Sequence, residues 1–421
     1  MVAYELLHTM QARQKGREDS MAIKLDMSKA YDRVGWGFLQ TMLSKLGFGD
    51  KWRKLVMACV KSVSYSVVVN GTPGDIIWPT RGLRQRDPLS PYLFLLCAEG
   101  LSTLLKEAEA RGRIKGVAVT RGGKRINHLL FADDCVMFCR SKIEEWTVLV
   151  HLLKFYEEAY GQTLNRQKTS ILFISNTSTE AKEYIVQHAE GVVCDNYNKY
   201  LGLPTMIGKS KYNTFRGLKE KIWKRINSWK NSFLSSAGKE VMIKSVLQAI
   251  PAYTMSVFKM PSMLLKEIES MIAKFWWNHR KEGRGIHWKS WNKLGATKGK
   301  GGLGFRDLNC FNKALLAKLG WRILQEPASL VAQVFKEKYF KSSNLMKAQV
   351  GYCPSQIWRS LMSVMDLVKT GLVWRVGNRR SIRVWKDKWV PIPSTFQIQS
   401  LNKILDCNVT VSELIDDESK T

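Results

Sequence analysis

Two short acidic stretches constrain this chain more than any other feature. They are Lys24-Leu25-Asp26-Met27-Ser28-Lys29-Ala30-Tyr31-Asp32 and, about a hundred residues later, Phe131-Ala132-Asp133-Asp134. Each is approached through apolar residues that read as β-strand, so the carboxylates stand at or near strand ends. Taken singly, an Asp after an apolar strand is an ordinary strand end, and Asp-Asp between apolar runs is an ordinary hairpin turn. Together, one isolated Asp and one Asp pair gathered by a sheet form the donor set for phosphoryl transfer with two divalent ions ~3.5–4 Å apart. Mg²⁺ is a hard ion that takes oxygen ligands, which suits Asp rather than His or Cys.

The chain has 421 residues, and its 66 Lys and Arg against 36 Asp and Glu give a formal net charge of +30. The length calls for two or three domains. The basic excess calls for a polyanionic partner, because neutralising phosphates releases counterions. Cys59, Cys97, Cys135, Cys139, Cys194, Cys310, Cys353 and Cys407 form no CxxC pair and no His/Cys cluster. Neither a zinc site nor a disulfide framework is supported, and a reducing, intracellular compartment is expected. There is no apolar run of about 18 residues and no signal-peptide start, so a soluble chain with no membrane partner is expected.

The periodicity predicts a helix over residues 2–14, a basic connector at 15–17, a strand over 21–26 and one helix over 38–61. A hairpin follows, Ser66–Gly71 with Ile76–Trp78, turned at Asn70-Gly71. The polar loop Arg81-Gly82-Leu83-Arg84-Gln85-Arg86-Asp87-Pro88-Leu89-Ser90-Pro91 leads into a helix over 92–110, with Ser90 as its N-cap. A hairpin over 127–138 carries Asp133-Asp134 near its bend. After it come a helix over 143–160, a loop over 161–168 and a strand over 169–174. Residues 212–260 read as helical and basic, with Lys219, Lys221, Lys224, Arg225 and Lys230 interleaved with Trp223 and Trp229, a pattern suited to a nucleic-acid backbone track. Gly299–Gly304 reads as a hinge or turn rather than a phosphate cradle, and a Trp-rich region follows over 321–389. The acidic tail at 416–419 is expected to fray.

In this order and spacing, the Asp26 block, the Arg81–Pro91 loop, Phe131-Ala132-Asp133-Asp134, the Asn165–Lys168 loop and Tyr200-Leu201-Gly202 resemble a reverse transcriptase of plant LINE-type (non-LTR) retrotransposons. Gly301–Asp307 and the Trp-rich end also resemble the region after the polymerase core of those elements. The resemblance implies an α+β fold: a right-hand polymerase palm, its antiparallel sheet backed by two helices, then a helical thumb and a mainly helical Trp-rich C-terminal region. The implied domains are 1–204, 205–290 and 291–421. The implied activity is RNA-directed DNA synthesis from an RNA template and DNA primer with dNTPs, using Mg²⁺ or alternatively Mn²⁺, with no protein partner. Asp26 and Asp133 would bind both ions and Asp134 would support them. Tyr31 would be the sugar gate, Gln85 and Arg84 would contact nucleotide and template, and Lys168 would protonate the leaving pyrophosphate. Tyr200 and Gly202 would contact the primer. Nuclear location follows from a need to reach chromosomal DNA.

The chain departs from the pattern at Arg86, where the family has Gly. It also starts shortly before Asp26 and ends before an expected Cys/His-rich segment, so a fragment truncated at both ends with impaired synthesis is expected. A catalytically inactive, retroelement-derived nucleic-acid-binding fragment is the alternative. A group II intron maturase, which shares the palm, fits less well because Lys29-Ala30-Tyr31-Asp32 and the Trp-rich end point to the LINE lineage. A metal-dependent nuclease fits less well because it needs neither the Gln85 loop nor Tyr31.

Overall fold

The computed structural model describes residues 1–12, 19–174, 176–189, 191–208, 210–229, 234–277, 286–376, 382–392, 395–399, 406 and 408–414. The connector at 15–17, Lys230, Cys407 and the tail at 416–419 lie outside the described residues. Two compact units emerge. One comprises Met1–Gly217, Ala328–Ser343 and Gly351–Ser355; the other comprises Leu218–Pro327, Asn344–Val350 and Gln356–Thr421.

In chain order the first unit contains α1 (Val2–Ala12), β1 (Met21–Leu25), α2 (Trp36–Lys45), α3 (Asp50–Lys61), β2 (Tyr65–Val69), β3 (Thr72–Ile77) and α4 (Ser90–Ala110). It continues with β4 (Val117–Ala118), β5 (Arg125–Ile126), β6 (His128–Phe131), β7 (Asp134–Cys139), α5 (Ile143–Tyr160), β8 (Ser170–Phe173) and α6 (Thr179–Ala189). Three short strands close the series: β9 (Val192–Val193), β10 (Lys199–Tyr200) and β11 (Leu203–Pro204).

The central sheet has the order β6-β7-β1-β8-β9 and is antiparallel except for the parallel β8–β9 pair. Side chains alternate between its faces. Met21, Ile23 and Leu25, with Cys135, Met137, Cys139 and Ile171, join a core filled from α2, α3, α4 and α5. Ala22, Val136, Phe138 and Leu172 face the other way, against Val2, Leu6 and Met10 of α1 and Val334. Because both faces are covered, Met21-Ala22-Ile23 and Val136-Met137-Phe138 are continuous apolar runs rather than alternating ones.

Several elements differ from the sequence reading. The single helix expected over 38–61 is two, because Gly47 takes φ +84° after α2 and turns the chain. Helix α4 begins at Ser90 itself, with Leu89 at the capping position, so Ser90 caps nothing; the Asp87 carboxylate instead accepts the Leu89 N–H at 2.8 Å. More than two helices back the sheet. The helical run expected over 212–260 is α7 (Lys211–Trp229), then Ser236–Met242, a π-helical turn at Ile243–Leu247 and Ala252–Met255, with Pro251 breaking the pattern.

In the second unit the tryptophans build interior. Trp358 is fully buried, and Phe305 is stacked by Trp291 at 5.2 Å and met edge-on by Trp276 at 5.4 Å. Buried Asn312 ties this helical core together, accepting the Met260 N–H at 2.9 Å and donating to the carbonyls of Met255 and Phe258 at 2.7 and 2.9 Å.

The first unit also recruits chain from far downstream. Glu5 of α1 has no exposed surface, and its carboxylate accepts from Lys338 Nζ at 2.7 Å, from the Tyr339 hydroxyl at 2.7 Å and from Ser355 Oγ. The helix Leu330–Tyr339 thus clasps α1, and α1 packs behind the strands β1 and β7 that carry the acidic motifs. A buried carboxylate stripped of its cation costs far more than the pair contributes. Lys338→Met should therefore lower unfolding free energy by about 3 kcal/mol in urea titrations, and Glu5→Gln added to it should restore part of the loss.

Candidate active site

The strand pairing assembles the acidic motifs. β1 and β7 are registered from Met21 opposite Cys139 to Leu25 opposite Cys135. Asp26 directly follows Leu25, and Asp134 directly precedes Cys135. β6 and β7 close at the Phe131–Asp134 pair, leaving a two-residue turn of Ala132 and Asp133. Ala132 holds φ +50°, a left-handed conformation that a non-glycine residue adopts at a cost of about 1 kcal/mol. Asp26, Asp133 and Asp134 therefore share one end of the sheet. Asp133 is exposed, while Asp26 and Asp134 are half-buried. Lys24 of β1, two residues before Asp26, pairs with the Asp134 carboxylate at 3.8 Å.

Backbone hydrogen bonds hold the Asp26 segment from its other side. The Asp26 carbonyl accepts the Asn165 N–H at 2.8 Å, Met27 bridges Leu164, and the Ser28 N–H donates to the Thr163 carbonyl at 3.0 Å. Buried Gln162 donates its side-chain amide to the Ala30 carbonyl. Lys168, exposed in the short 3-10 turn Arg166–Lys168, stands two residues before Ser170. Since Ser170 pairs with Lys24, Lys168 lies at the Asp26 end of the sheet.

The Arg81–Pro91 loop is bolted to the residues after Asp26. The Leu83 N–H donates to the Tyr31 carbonyl and the Gly82 N–H to the Val34 carbonyl, both at 2.8 Å, while the Trp36 indole donates to the Gly82 carbonyl at 2.8 Å. Gly82 has φ +92°, and a Cβ there would lie 2.6 Å from the Asp32 carbonyl oxygen, so only glycine allows this approach. The Tyr31 ring stacks on Phe94 of α4 at 4.8 Å and 17°. Burial first, and the charge of Asp133 second, raise the Tyr31 phenol above its ordinary pKa.

These pieces surround an open pocket of about 380 Å³ lined by Met27, Lys29, Ala30, Tyr31, Gln85, Arg86, Pro91 and Asp133. Of the sequence-predicted residues it gathers Tyr31, Gln85 and Asp133. Asp26 directly precedes the lining residue Met27. Arg84 instead faces a separate cavity of about 40 Å³ beside Leu83 and Asp87. Tyr200 and Gly202 belong to the β10–β11 hairpin, whose two turn residues, Leu201 at φ +49° and Gly202 at φ +75°, have the signature of a type I′ turn. On α7, Lys221, Lys224 and Arg225 are exposed and Lys219 pairs with Glu267 at 2.6 Å. Trp223 is exposed, and Trp229 packs on Phe275 at 5.9 Å.

Some contacts that shape the site could not be read from the sequence. Lys24, Gln162 and Asn165 are long-range partners, and Tyr197 bridges two strands, its buried hydroxyl donating toward the carbonyls of Ala22 at 2.6 Å and Ser170 at 3.1 Å.

Among the described residues, no three Asp, Glu, His or Cys side chains form a ready-made metal cage. The donors at this end of the sheet are carboxylate oxygens on facing strand ends. They fit Mg²⁺, which is commonly held by one or two carboxylates and completed by substrate phosphates and water.

Residues 2–205 match the family described as reverse transcriptase (RNA-dependent DNA polymerase). The chain belongs to that family. By family it is an RNA-directed DNA polymerase, and its sheet with backing helices is the polymerase palm. It is 39% identical over 150 residues to an uncharacterized mitochondrial protein of Arabidopsis thaliana, covering 34% of this chain and 97% of that protein. It is 26% identical over 173 residues to the retrovirus-related Pol polyprotein of the type-1 retrotransposable element R2 from Popillia japonica, covering 41% of this chain and 27% of the polyprotein. A telomerase from Candida tropicalis in complex with a fragment of telomeric RNA aligns with 80% of this chain and 52% of its own at 13% identity, with a TM-score of 0.34, too low to carry weight.

Arg86, the departure from the motif, has φ +66°. The backbone has kept the left-handed conformation that glycine adopts freely, with an arginine in it. Arg86→Gly should raise unfolding free energy by about 1 kcal/mol by relieving that strain, less the entropy that glycine adds to the unfolded chain. Equal or lower stability in denaturant titrations would contradict the strain.

Proposed function

We propose that the chain extends a DNA primer on an RNA template with dNTPs at the Asp26–Asp133 end of the sheet. The observation that supports this most directly is the pocket that unites Asp133, Tyr31 and Gln85 where Asp26 leaves β1. Two Mg²⁺ ions, or Mn²⁺, when bound lower the pKa of the primer 3′-hydroxyl and offset charge building on the triphosphate. Asp26 and Asp133 would hold them. Asp134, engaged by Lys24, would support the pair from behind.

The remaining roles are those that the family resemblance implies. The Tyr31 ring, fixed on Phe94, would underlie the deoxyribose and crowd a 2′-hydroxyl. Gln85 would touch the incoming nucleotide and Arg84 the template strand. Lys168 would donate a proton to the leaving pyrophosphate. Tyr200 and Gly202 would contact the primer, while Lys219, Lys221, Lys224 and Arg225 would follow nucleic-acid phosphates along α7. Work on chromosomal DNA would place the protein in the nucleus.

Arg86 lines the pocket and would bind the triphosphate without orienting it, which slows synthesis. Primer extension by the purified chain in Mg²⁺ tests this reading. Asp133→Asn should lower the rate at least about 100-fold, and Arg86→Gly should raise it about tenfold. No synthesis from either wild type or Arg86→Gly, with RNA binding that falls steeply with salt, would instead favour the inactive nucleic-acid-binding fragment.

A further inference from the structure

Asp32 follows Tyr31 and has no part in the roles above, yet its carboxylate accepts a hydrogen bond from Gln85 Nε2 at 3.1 Å. Both side chains are solvent-exposed, and a bond between exposed groups contributes little to stability. Its geometry is nonetheless fixed from both ends. The Leu83 N–H bonds the Tyr31 carbonyl and the Gly82 N–H bonds the Val34 carbonyl, so two backbone bonds bracket Asp32. Gly82 packs so closely on the Asp32 backbone that even a Cβ is excluded. The loop therefore cannot slide relative to Asp32, and Gln85, two residues beyond Leu83, meets the carboxylate from a set position.

Resting on the polymerase reading, we infer that Asp32 is a positioning residue: it orients the Gln85 carboxamide in the nucleotide pocket. The bond uses one amide hydrogen of Gln85 and thereby directs its Oε1 as an acceptor. A donor on the incoming nucleotide is the group such an acceptor recognises. Without Asp32 the Gln85 side chain samples several rotamers, and that ordering must be completed during each binding event. The loss should fall on nucleotide binding rather than on the chemical step.

The test uses the full chain on an oligo(dT)-primed poly(rA) template with dTTP. Asp32→Ala should raise KM for dTTP about tenfold while changing kcat less than about threefold, with the thermal midpoint unchanged. Asp32→Asn, whose Oδ1 can accept the same bond, should restore KM to near wild type. Gln85→Ala should match Asp32→Ala, and the double variant should be no worse than either alone, because both remove one interaction. Unchanged KM in Asp32→Ala, additive losses, or equal losses in the Ala and Asn variants would overturn the inference. Asp133→Asn, run beside these, isolates the underlying reading: synthesis that survives it sinks the polymerase assignment, whereas its loss together with an unmoved KM in Asp32→Ala sinks only the positioning role. No product from either the wild-type chain or its Arg86→Gly variant overturns both.

Discussion

The β1–β7 register is the constraint on which the rest of the site depends. A slip of one residue would turn Met21, Ile23 and Leu25 from the α2–α5 core to the opposite face, and both faces are packed against helices. The register is thus pinned by burial along the whole strand, not by the acidic residues themselves. Asp26, at the exit of β1, and Asp133, in the turn that feeds β7, inherit their placement from that packing. Carboxylates with no large burial of their own can be positioned in this way by strands that have it.

A second layer of backbone bonds converts strand ends into a site. The Asn165 and Thr163 contacts hold the residues after β1 on one side, and the Leu83 and Gly82 contacts hold them on the other. Rigid framing of this kind keeps reacting groups in register at little cost when the substrate arrives. Strain collects here as well. Lys29, Arg86 and Ala132 all have positive φ, and all three lie in or beside the acidic motifs or their pocket. Such strain persists only where surrounding structure over-determines it. Behind the sheet, the buried Glu5 cluster shows that this support draws on chain more than three hundred residues away from α1.

The core of the palm was legible in the sequence because its signals are local. Apolar strands, a turn at Ala132-Asp133 and long periodic helices such as α4 and α5 announce themselves in windows of a few residues. The break between α2 and α3 was missed because the apolar pattern of Leu39, Met42, Leu43 and Leu46 carries straight into Gly47, and only the left-handed φ there shows the turn. The parallel pairing of β8 with β9 and the roles of Lys24, Gln162 and Asn165 could not be read, since each depends on a partner distant in sequence. The clasp of α1 by Lys338, Tyr339 and Ser355 was invisible for the same reason. Arg86 is the instructive case: its departure from the motif was plain in the sequence, but that the backbone keeps the left-handed conformation required coordinates.

The central claim is that carboxylates from two strands, Asp26 and Asp133, serve one ion-binding site. Equilibrium Mn²⁺ binding followed by electron paramagnetic resonance, with dNTP present, measures this without reference to synthesis. Either Asp26→Asn or Asp133→Asn alone should weaken binding at least about tenfold, and the double variant should lose little more, as expected for two ligands of a single site. Singles with no effect, or losses that simply add, would contradict the account.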